Sequence, residues 1–205
     1  MKPRMLLALA AVAVLVAIML KRSATGEDLM PIADDVDAQA ARANRAAFLA
    51  SIRWAEGTDD ANGYRAIYGS TKARPRLFGS FAMHPVQSGE WAGDRLSDAM
   101  CAGAGLGPGC VTTAAGAYQM IYPTWTRMAQ SLGLTDFAPA SQDLAALWLI
   151  NEAGALQDVD AGNFASAVDK VRTIWASLPG AGYDQPERSM SDLQTAYLHA
   201  GGTIA

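Results

Sequence analysis

The sequence predicts an α+β fold that is mainly helical, with a small β-sheet lobe and a cleft between the lobes. Apolar side chains repeat at helical spacing from Val36 to Gly57 and again from Pro123 to Ala200. Between these stretches, residues 58–115 lose that spacing and are rich in glycine and proline. A helix, then a short β-prone region, then several helices is the order expected of an α+β domain.

Composition restricts the class of protein further. Of the 205 residues, 51% are hydrophobic and 18% are charged, which excludes collagen-like, low-complexity and wholly disordered chains. One long apolar run is present, which excludes a polytopic membrane protein. Residues 1–22 hold four basic and no acidic side chains, so the other 183 residues carry 12 basic and 20 acidic ones, a net charge of −8. An acidic body argues against nucleic-acid binding.

The N-terminal segment is the one candidate for membrane contact. Residues 5–20 are sixteen consecutive apolar residues, bracketed by basic residues on both sides. This length is short for a membrane span, which takes about 17–25 residues. The other interpretation is a cleaved signal peptide, but no clear cleavage site lies before Gly26 in this sequence. Both interpretations export the body of the protein. We expect a signal-anchor or signal segment at 1–22, a linker and the start of the first helix at 23–43, and a folded domain at 44–205.

Each predicted helix has a start or stop signal. The first is expected to begin near Val36, after a linker over 23–36 and with Asp34 or Asp35 as its cap, and to end near Gly57. Residues 64–68 and 77–81 are β-prone pieces suited to a small sheet. The later helices are predicted from Pro123 to Gly133, from Ser141 to Gly154, through Phe164, Val168, Val171 and Trp175 to a stop before Pro179, and from Leu193 to Gly201.

Cys101 and Cys110 lie nine positions apart in a glycine-rich stretch. Two thiols do not make a structural zinc site alone, and nothing in the spacing brings His84 and His199 to complete one. A local disulfide is the favoured interpretation if the compartment is oxidising. We expect neither a metal site nor a cofactor.

Three short strings hold side chains suited to chemistry. Glu56 follows Trp54 near the end of a predicted helix, and a partly desolvated carboxylic acid beside an aromatic ring has a raised pKa and can donate a proton near neutral pH. Residues 115–119 combine a glycine with the hydroxyl and amide of Tyr118 and Gln119, groups that can bind sugars. Residues 175–183 turn a helix into a glycine-rich loop that ends in Tyr183. Each string alone is weak evidence of a functional site. A glutamate near a helix end, such as Glu56, is more commonly an ordinary surface residue than a catalytic one.

Together with other strings, these residues resemble the phage lambda endolysin family, the lambda-type lytic transglycosylases with a lysozyme-like fold. The resemblance runs in order from about Asn44 to Thr203 and covers about three-quarters of the chain. The matching strings are AFL at 47–49, WAEGTD at 54–59, HP at 84–85, AGAYQ at 115–119, LGLTDF at 132–137, SQD at 141–143, GAL at 154–156, IWASLPGAGY at 174–183 and AGGT at 200–203.

The resemblance implies that domain 44–205 cuts the β-1,4 bond between N-acetylmuramic acid and N-acetylglucosamine in peptidoglycan glycan strands, for host cell lysis. It implies that Glu56 is the catalytic acid and that the product is a 1,6-anhydromuramic end, made without water. Tyr118 and Gln119 match a cleft-lining string and are assigned to substrate contact and to positioning Glu56, with Tyr183 in the same cleft. Trp148 and Trp175 fall on apolar helical faces and are assigned to the core.

Location and assembly follow from the same resemblance. The enzyme is expected on the periplasmic side of the host inner membrane, tethered through residues 5–20 or released from it, and to act as a monomer without a cofactor. The N-terminal segment resembles the signal-anchor-release segments of other phage endolysins. Residues 88–112, which hold both cysteines, look longer than the corresponding family loop and are expected to rim the cleft. His84 is expected to be a structural loop residue.

Two alternatives stay open. Asp59 and Asp60 follow Glu56 closely, and if either faced it at glycosidase spacing, a hydrolytic muramidase would result. The preferred interpretation is that both are solvated turn residues. The other alternative is a membrane-anchored peptidoglycan-binding module without catalysis, against which Glu56, Tyr118 and Gln119 argue. A non-phage or virion-borne cell-wall enzyme would carry the same residues.

Overall fold

Helix α1, Met30–Glu56, leads into the body of the protein. The computed structural model describes residues 30–183 and 185–205. Residues up to Ala40 group apart from Ala41–Ala205, and the hydrophobic core belongs to the second unit. The predicted N-terminal segment 1–22 lies outside the described residues. Among the described helices, none combines the length and the apolar character needed to cross a membrane.

Helix α1 starts earlier than the sequence indicated and stops where it indicated. It begins at Met30 rather than near Val36, so Asp34 and Asp35 lie inside the helix and are not caps. It ends at Glu56, and Gly57 follows with φ of +72°, the left-handed conformation that favours glycine after a helix. Because the helix ends at Glu56, this residue has a defined position beside the buried core.

Six more helices and a 3-10 turn build the rest of the described body. Gly133 ends one of them with φ of +65°, as predicted. The elements are the 3-10 turn Gly63–Arg65, β1 Asp94–Arg95, α2 Asp98–Gly103, β2 Val111–Thr112, α3 Tyr122–Leu132, α4 Pro139–Glu152, α5 Leu156–Ala161, α6 Phe164–Val171 and α7 Met190–His199.

Two further predicted helix boundaries were wrong. Ser141 does not cap α4, because the helix begins at Pro139 and the Ser141 hydroxyl donates instead to Asp136, at 2.6 Å. Helix α6 ends at Val171, so Trp175 lies in the turn that follows. There its indole N–H donates to the main-chain oxygen of Tyr118 at 3.0 Å, and this contact replaces the next helical turn.

The β lobe is small, as predicted, but its strands are not the predicted ones. Residues 64–68 and 77–81 form only isolated bridges, such as Ala66 with Leu77. The 3-10 turn at Gly63–Arg65 packs closely against Thr58. A Cβ added at Gly63 would lie 1.7 Å from the Thr58 carbonyl oxygen, so only glycine fits there. The two-stranded antiparallel sheet is instead β1 with β2.

A disulfide between Cys101 and Cys110 closes the segment between these strands, as predicted. Cys101 is fully buried, and the main-chain N–H of Leu96 donates to the carbonyl oxygen of Cys110 at 3.0 Å. We call residues 94–112 the disulfide hairpin. With both cysteines oxidised, the earlier possibility of a zinc site through these thiols is removed.

Replacing both cysteines with serine is expected to lower the free energy of unfolding by about 2–3 kcal/mol, because the unfolded chain regains the freedom of a ten-residue loop. Chemical denaturation of the wild type and the double variant, both kept free of reductant, measures the difference. Equal unfolding free energies would show that the hairpin opens independently of the core.

An amide near the start of the body joins it to the last segment of the chain. Asn44 is buried, and its side-chain N–H₂ donates to the carbonyl of Asp160 at 3.1 Å. Its side-chain oxygen accepts from the main-chain N–H of Thr203 at 2.9 Å. Beside it, the rings of Phe48 and Phe164 pack edge to face with centroids 5.9 Å apart. The core is therefore closed by contacts between distant parts of the sequence.

Candidate active site

Glu56 is the residue around which the site is built. It is partly buried at the end of α1, and its Oε1 accepts a hydrogen bond from the Ser177 hydroxyl at 2.6 Å. Burial raises the pKa of Glu56 to about 7, against the opposing effects of the Ser177 hydrogen bond and the Arg188 charge. The carboxyl group can therefore exist in either protonation state near neutral pH.

The guanidinium of Arg188 places a positive charge close to Glu56. Its Nε donates to the carbonyl oxygen of Ala55 at 3.2 Å, and its guanidinium lies over the Trp54 ring, 4.9 Å from the centroid. The Arg188 main-chain N–H donates to the carbonyl of Ser177 at 2.8 Å. Both polar neighbours of Glu56 thus belong to one hydrogen-bonded stretch of chain.

Glu56 lines two pockets, and a third adjoins one of them. The central pocket, of about 190 Å³, is lined by Glu56 and Gln119, and Leu96 and Thr112 of the disulfide hairpin form part of its wall. It shares Gln119 and Trp175 with a pocket of about 380 Å³ that Tyr183 also lines, the Tyr183 pocket. The Lys72 pocket, of about 380 Å³, meets the central pocket at Glu56 and is lined by Trp54, Glu56, Gly57, Asp59, Ser70, Thr71, Lys72 and Arg188.

Adjacent pockets share lining residues, and we call the three together the cleft, with the acid of raised pKa on the boundary between two of them. A separate cavity of about 420 Å³, lined by Met83, Tyr122 and Trp125 among others, shares no residue with them. Within the described part of the chain, no group of three or more metal-binding side chains is present.

The turn that carries Tyr118 and Gln119 is fixed from two sides. The main chains of Ala115 and Met120 exchange hydrogen bonds of 3.1 and 2.9 Å around it. The buried Gln142 side chain accepts from the Ala117 N–H at 2.8 Å. The Thr58 hydroxyl, two residues after Glu56, donates to the Ala117 carbonyl at 2.6 Å. These contacts therefore fix the position of Glu56 relative to the turn that carries Tyr118 and Gln119.

Gln119 lies on the wall shared by the central and Tyr183 pockets. Its backbone φ is +44°, an uncommon conformation for a residue with a side chain. The side-chain N–H₂ donates to the Gly116 carbonyl at 3.0 Å, which orients the amide along the cleft wall. Its role as a substrate contact stays a prediction.

Tyr118 lies in a buried polar network. The side chain is fully buried, its hydroxyl donates to Asp143 at 2.6 Å, and Arg53 donates to the same hydroxyl at 3.0 Å. Burial and the neighbouring carboxylate raise the pKa of Tyr118 above its ordinary value. These contacts fix the shape of the turn. The predicted substrate contact of Tyr118 stays a prediction, and in this structure the residue has no exposed surface.

Tyr183 is half-buried and lines the pocket named after it. Its hydroxyl donates to the carbonyl oxygen of Thr173 at 2.7 Å, so the ring is anchored at its outer edge. An aromatic ring on a cleft wall suits a sugar face, and the assignment to substrate binding stays a prediction.

The two aspartates after Glu56 have different surroundings. Asp59 lines the Lys72 pocket and forms an ion pair with Lys72, with 2.9 Å between Nζ and Oδ1. Asp60 is exposed and accepts from the main-chain N–H of Asn62 at 2.8 Å, as a turn residue does. Asp59 is thus the aspartate of the two that shares a pocket with Glu56.

The remaining residues with predicted roles are structural. His84 is fully buried against the Phe137 ring, and burial lowers its pKa to about 4, so it is neutral at pH 7. Trp175 is in the core, and Trp148 packs against the core while partly exposed, as predicted.

Sequence reasoning gave no role to Ser177 and Arg188, the two polar neighbours of Glu56. Ser177 lies 121 positions after Glu56, and no spacing rule connects residues that far apart. The one available signal was that Ser177 falls within the matching string at 174–183.

Replacing Ser177 with alanine is expected to raise the pKa of Glu56 further, because its hydrogen bond stabilises the carboxylate form. A hydrogen bond to a charged group contributes about 1.5 kcal/mol, which corresponds to about one pH unit. NMR titration of the Glu56 carboxyl carbon measures the change. The Ser166→Ala variant, at an exposed position on α6, is the control. A Glu56 pKa unchanged in Ser177→Ala would contradict the assigned hydrogen bond.

Comparison with known proteins places the chain among phage lysis proteins. The family model described as Endolysin matches residues 46–204. The endolysin of Escherichia phage P2 is 38% identical over 167 residues, covering 79% of this chain and 95% of that protein. The endolysin of Escherichia phage lambda is 37% identical over 166 residues, covering 78% and 92%.

Solved structures agree with these relatives. Bacteriophage lambda lysozyme complexed with a chitohexasaccharide superposes with a TM-score of 0.64 at 36% identity, over 80% of this chain and 97% of that one. Lysozyme from bacteriophage lambda gives a TM-score of 0.61 at 34% identity over the same shares. The predicted α+β, lysozyme-like fold is confirmed.

Proposed function

Since this chain belongs to the endolysin family, we propose that it is a peptidoglycan lytic transglycosylase. It cleaves glycosidic bonds of the bacterial cell wall and so serves host cell lysis. The bond cut is the β-1,4 bond between N-acetylmuramic acid and N-acetylglucosamine, and the product is a 1,6-anhydromuramic end. The lambda lysozyme structure holds a chitohexasaccharide, a related glycan.

The observation that carries the proposal is the position and pKa of Glu56. A carboxyl group with a pKa of about 7 is part protonated at the pH where it must act, and it lies where two pockets of one cleft meet. A glycan strand laid along the cleft would pass over it. A binding module without catalysis has no need of an acid of this kind.

The chemistry needs a single group that first donates and then accepts a proton. Protonated Glu56 transfers its proton to the glycosidic oxygen as the bond from that oxygen to C1 of the muramic residue breaks. The carboxylate then takes the proton of the C6 hydroxyl of the same residue while the C6 oxygen bonds to C1. Glu56 ends protonated, as it began, and no water is consumed.

Ser177 and Arg188 stabilise the negative charge that Glu56 carries between the two proton transfers. When Glu56 has given up its proton, the Ser177 hydroxyl donates to the carboxylate and the nearby guanidinium stabilises it. When Glu56 is protonated, burial favours the neutral form. The two states are therefore close in free energy, as a group that works in both directions requires.

Hydrolysis on the same fold is the second candidate, and the Asp59 position is the observation that favours it. Asp59 lines a pocket together with Glu56 and is the candidate there for the second carboxylate that a muramidase uses. Its ion pair with Lys72 occupies the carboxylate.

Mass spectrometry of peptidoglycan digested with the purified full chain separates the two. Lytic transglycosylase activity releases muropeptides one water lighter than the products of hydrolysis. Products with reducing ends would mean a muramidase, and Asp59→Asn would then abolish them. A digest without new products would refute both.

Export and membrane contact stay proposals. Residues 5–20 would tether the enzyme at the periplasmic side of the inner membrane or leave the membrane to release it, and the body would act there as a monomer. Fractionation of expressing cells, with and without residues 5–20, tests the tether.

A further inference from the structure

The Lys72 pocket holds two cations, and one of them, Lys72, has no part in the acid–base chemistry. This inference rests on the proposed function, because it concerns the substrate of the same cleft. Residues 23–205 carry a net charge of −8, yet Lys72 and Arg188 both line one pocket beside Glu56. Asp59 neutralises Lys72, and protonated Glu56 has no charge, so the pocket carries one net positive charge. Such a pocket in an acidic protein favours an anionic ligand.

Arg188 lines the pocket and keeps donors for such a ligand. Its Nε is occupied by the Ala55 carbonyl and one face of its guanidinium by Trp54. Its two terminal nitrogens make no hydrogen bond to any residue that the structure describes, and they belong to a side chain lining the pocket. The terminal nitrogens of a held guanidinium are suited to a carboxylate.

Two hydroxyl groups line the same pocket, those of Ser70 and Thr71. Ser70 Oγ accepts from the main-chain N–H of Arg76, and Thr71 Oγ1 accepts from that of Arg74, both at 3.0 Å. Each hydroxyl is fixed through its oxygen and keeps its own proton to donate. Lys72 is held beside them by Asp59 at 2.9 Å. The pocket thus offers O–H, ammonium and guanidinium donors together.

Carboxylates distinguish peptidoglycan from a neutral glycan. Its sugars carry hydroxyls and acetamides, whereas its anionic groups are the carboxyls of the attached peptide or, on a muramic residue without peptide, the lactyl carboxyl. We propose that Ser70, Thr71, Lys72 and Arg188 form a carboxylate-binding subsite for the lactyl or peptide group of the muramic residue next to Glu56. The subsite selects strands by charge and holds them in register for cleavage.

The test compares glycan strands whose carboxyl groups are free with the same strands amidated with ammonia and a carbodiimide. For the wild-type full chain, kcat/KM on free strands is expected to exceed that on amidated strands by about tenfold. In Lys72→Gln this ratio falls to about threefold, mainly through KM, since a cation is lost and Asp59 is left unpaired. Lys170→Gln, which removes an exposed lysine that pairs with Asp158 and lines none of the three pockets, keeps the wild-type ratio.

Strands stripped of peptide separate the two sources of carboxylate. Removing the peptide frees the lactyl carboxyl. A preference for free over amidated carboxyls that persists on stripped strands therefore means that the subsite accepts the lactyl carboxylate, and a preference confined to strands with peptide means that the peptide carboxylate is the ligand. Equal cleavage of free and amidated strands by the wild type would overturn the subsite, as would an unchanged ratio in Lys72→Gln. A wild type that cleaves no strand would refute the proposed function, a result distinct from equal cleavage.

Discussion

Replacing Glu56 with glutamine is expected to reduce release of anhydromuropeptides by at least about 1,000-fold. General acid–base catalysis by a positioned group contributes about 100- to 10,000-fold, and here one carboxyl serves both proton transfers. Glutamine keeps the size of the side chain and a hydrogen-bond acceptor for the Ser177 hydroxyl. The amide cannot exchange a proton at neutral pH, so the loss should appear in kcat rather than in KM.

A stability measurement shows that the Glu56→Gln protein is folded, and its sign is fixed by linkage. The folded pKa of Glu56, about 7, lies above its ordinary value of 4.5. Between these values the folded state holds a proton that the unfolded state has released, so stability falls as pH rises through this window. Above pH 7 the wild type has lost up to about 3 kcal/mol in this way.

The variant does not titrate at this position. Its Tm should therefore exceed that of the wild type at pH 8 and match it near pH 4. An inactive variant with a lower Tm at pH 8 would mean that the loss of activity came from misfolding. A variant that still releases anhydromuropeptides at the wild-type rate would show that another group is the acid.

Replacing Gly116 with alanine is expected to lower the free energy of unfolding by about 3 kcal/mol and to impair the cleft. Gly116 has φ of +78°, and an added Cβ would lie 2.3 Å from Gln142 Oε1 and 3.0 Å from the Phe137 ring. Left-handed strain and overpacking each cost about 1–3 kcal/mol. Because Gln142 holds the turn through Ala117, moving it also shifts Gln119 on the cleft wall.

Gly133→Ala is the matched control. Gly133 also has a left-handed backbone, with φ of +65°, but an added Cβ would meet no atom within 4 Å. Thermal unfolding should show a fall of about 6–12 °C for Gly116→Ala and a smaller one for the control. Equal falls in Tm would mean that backbone strain alone matters and that the packing of Gln142 under the turn contributes nothing.

The helices could be predicted because their signals are local. Gly57 and Gly133 end α1 and α3 through their own backbone conformations, and apolar spacing identified most of what lies between. The strands could not be predicted because β1 and β2 are two residues long, too short for any alternation of side chains. Their pairing depends on the disulfide hairpin that joins them.

The candidate site could likewise be predicted only where its signals are local in the sequence. Glu56 was recognised from its neighbours in sequence, Trp54 and Gly57, together with the resemblance to a family. Ser177 was not, because its contact with Glu56 exists only after the chain has folded. The buried state of Tyr118 was equally invisible, since a tyrosine beside a glutamine reads as a polar surface pair until Arg53 and Asp143 are brought to it.

The two hydrogen bonds of Asn44 bear on when the protein becomes active. One joins Asn44 to Asp160 and the other to Thr203, 159 positions later in the chain. A nascent polypeptide emerging from the ribosome has made α1 and Glu56 long before Thr203 exists, so this part of the core cannot close during most of translation. Folding is then a late, cooperative event. Unfinished chains would stay incapable of attacking a cell wall.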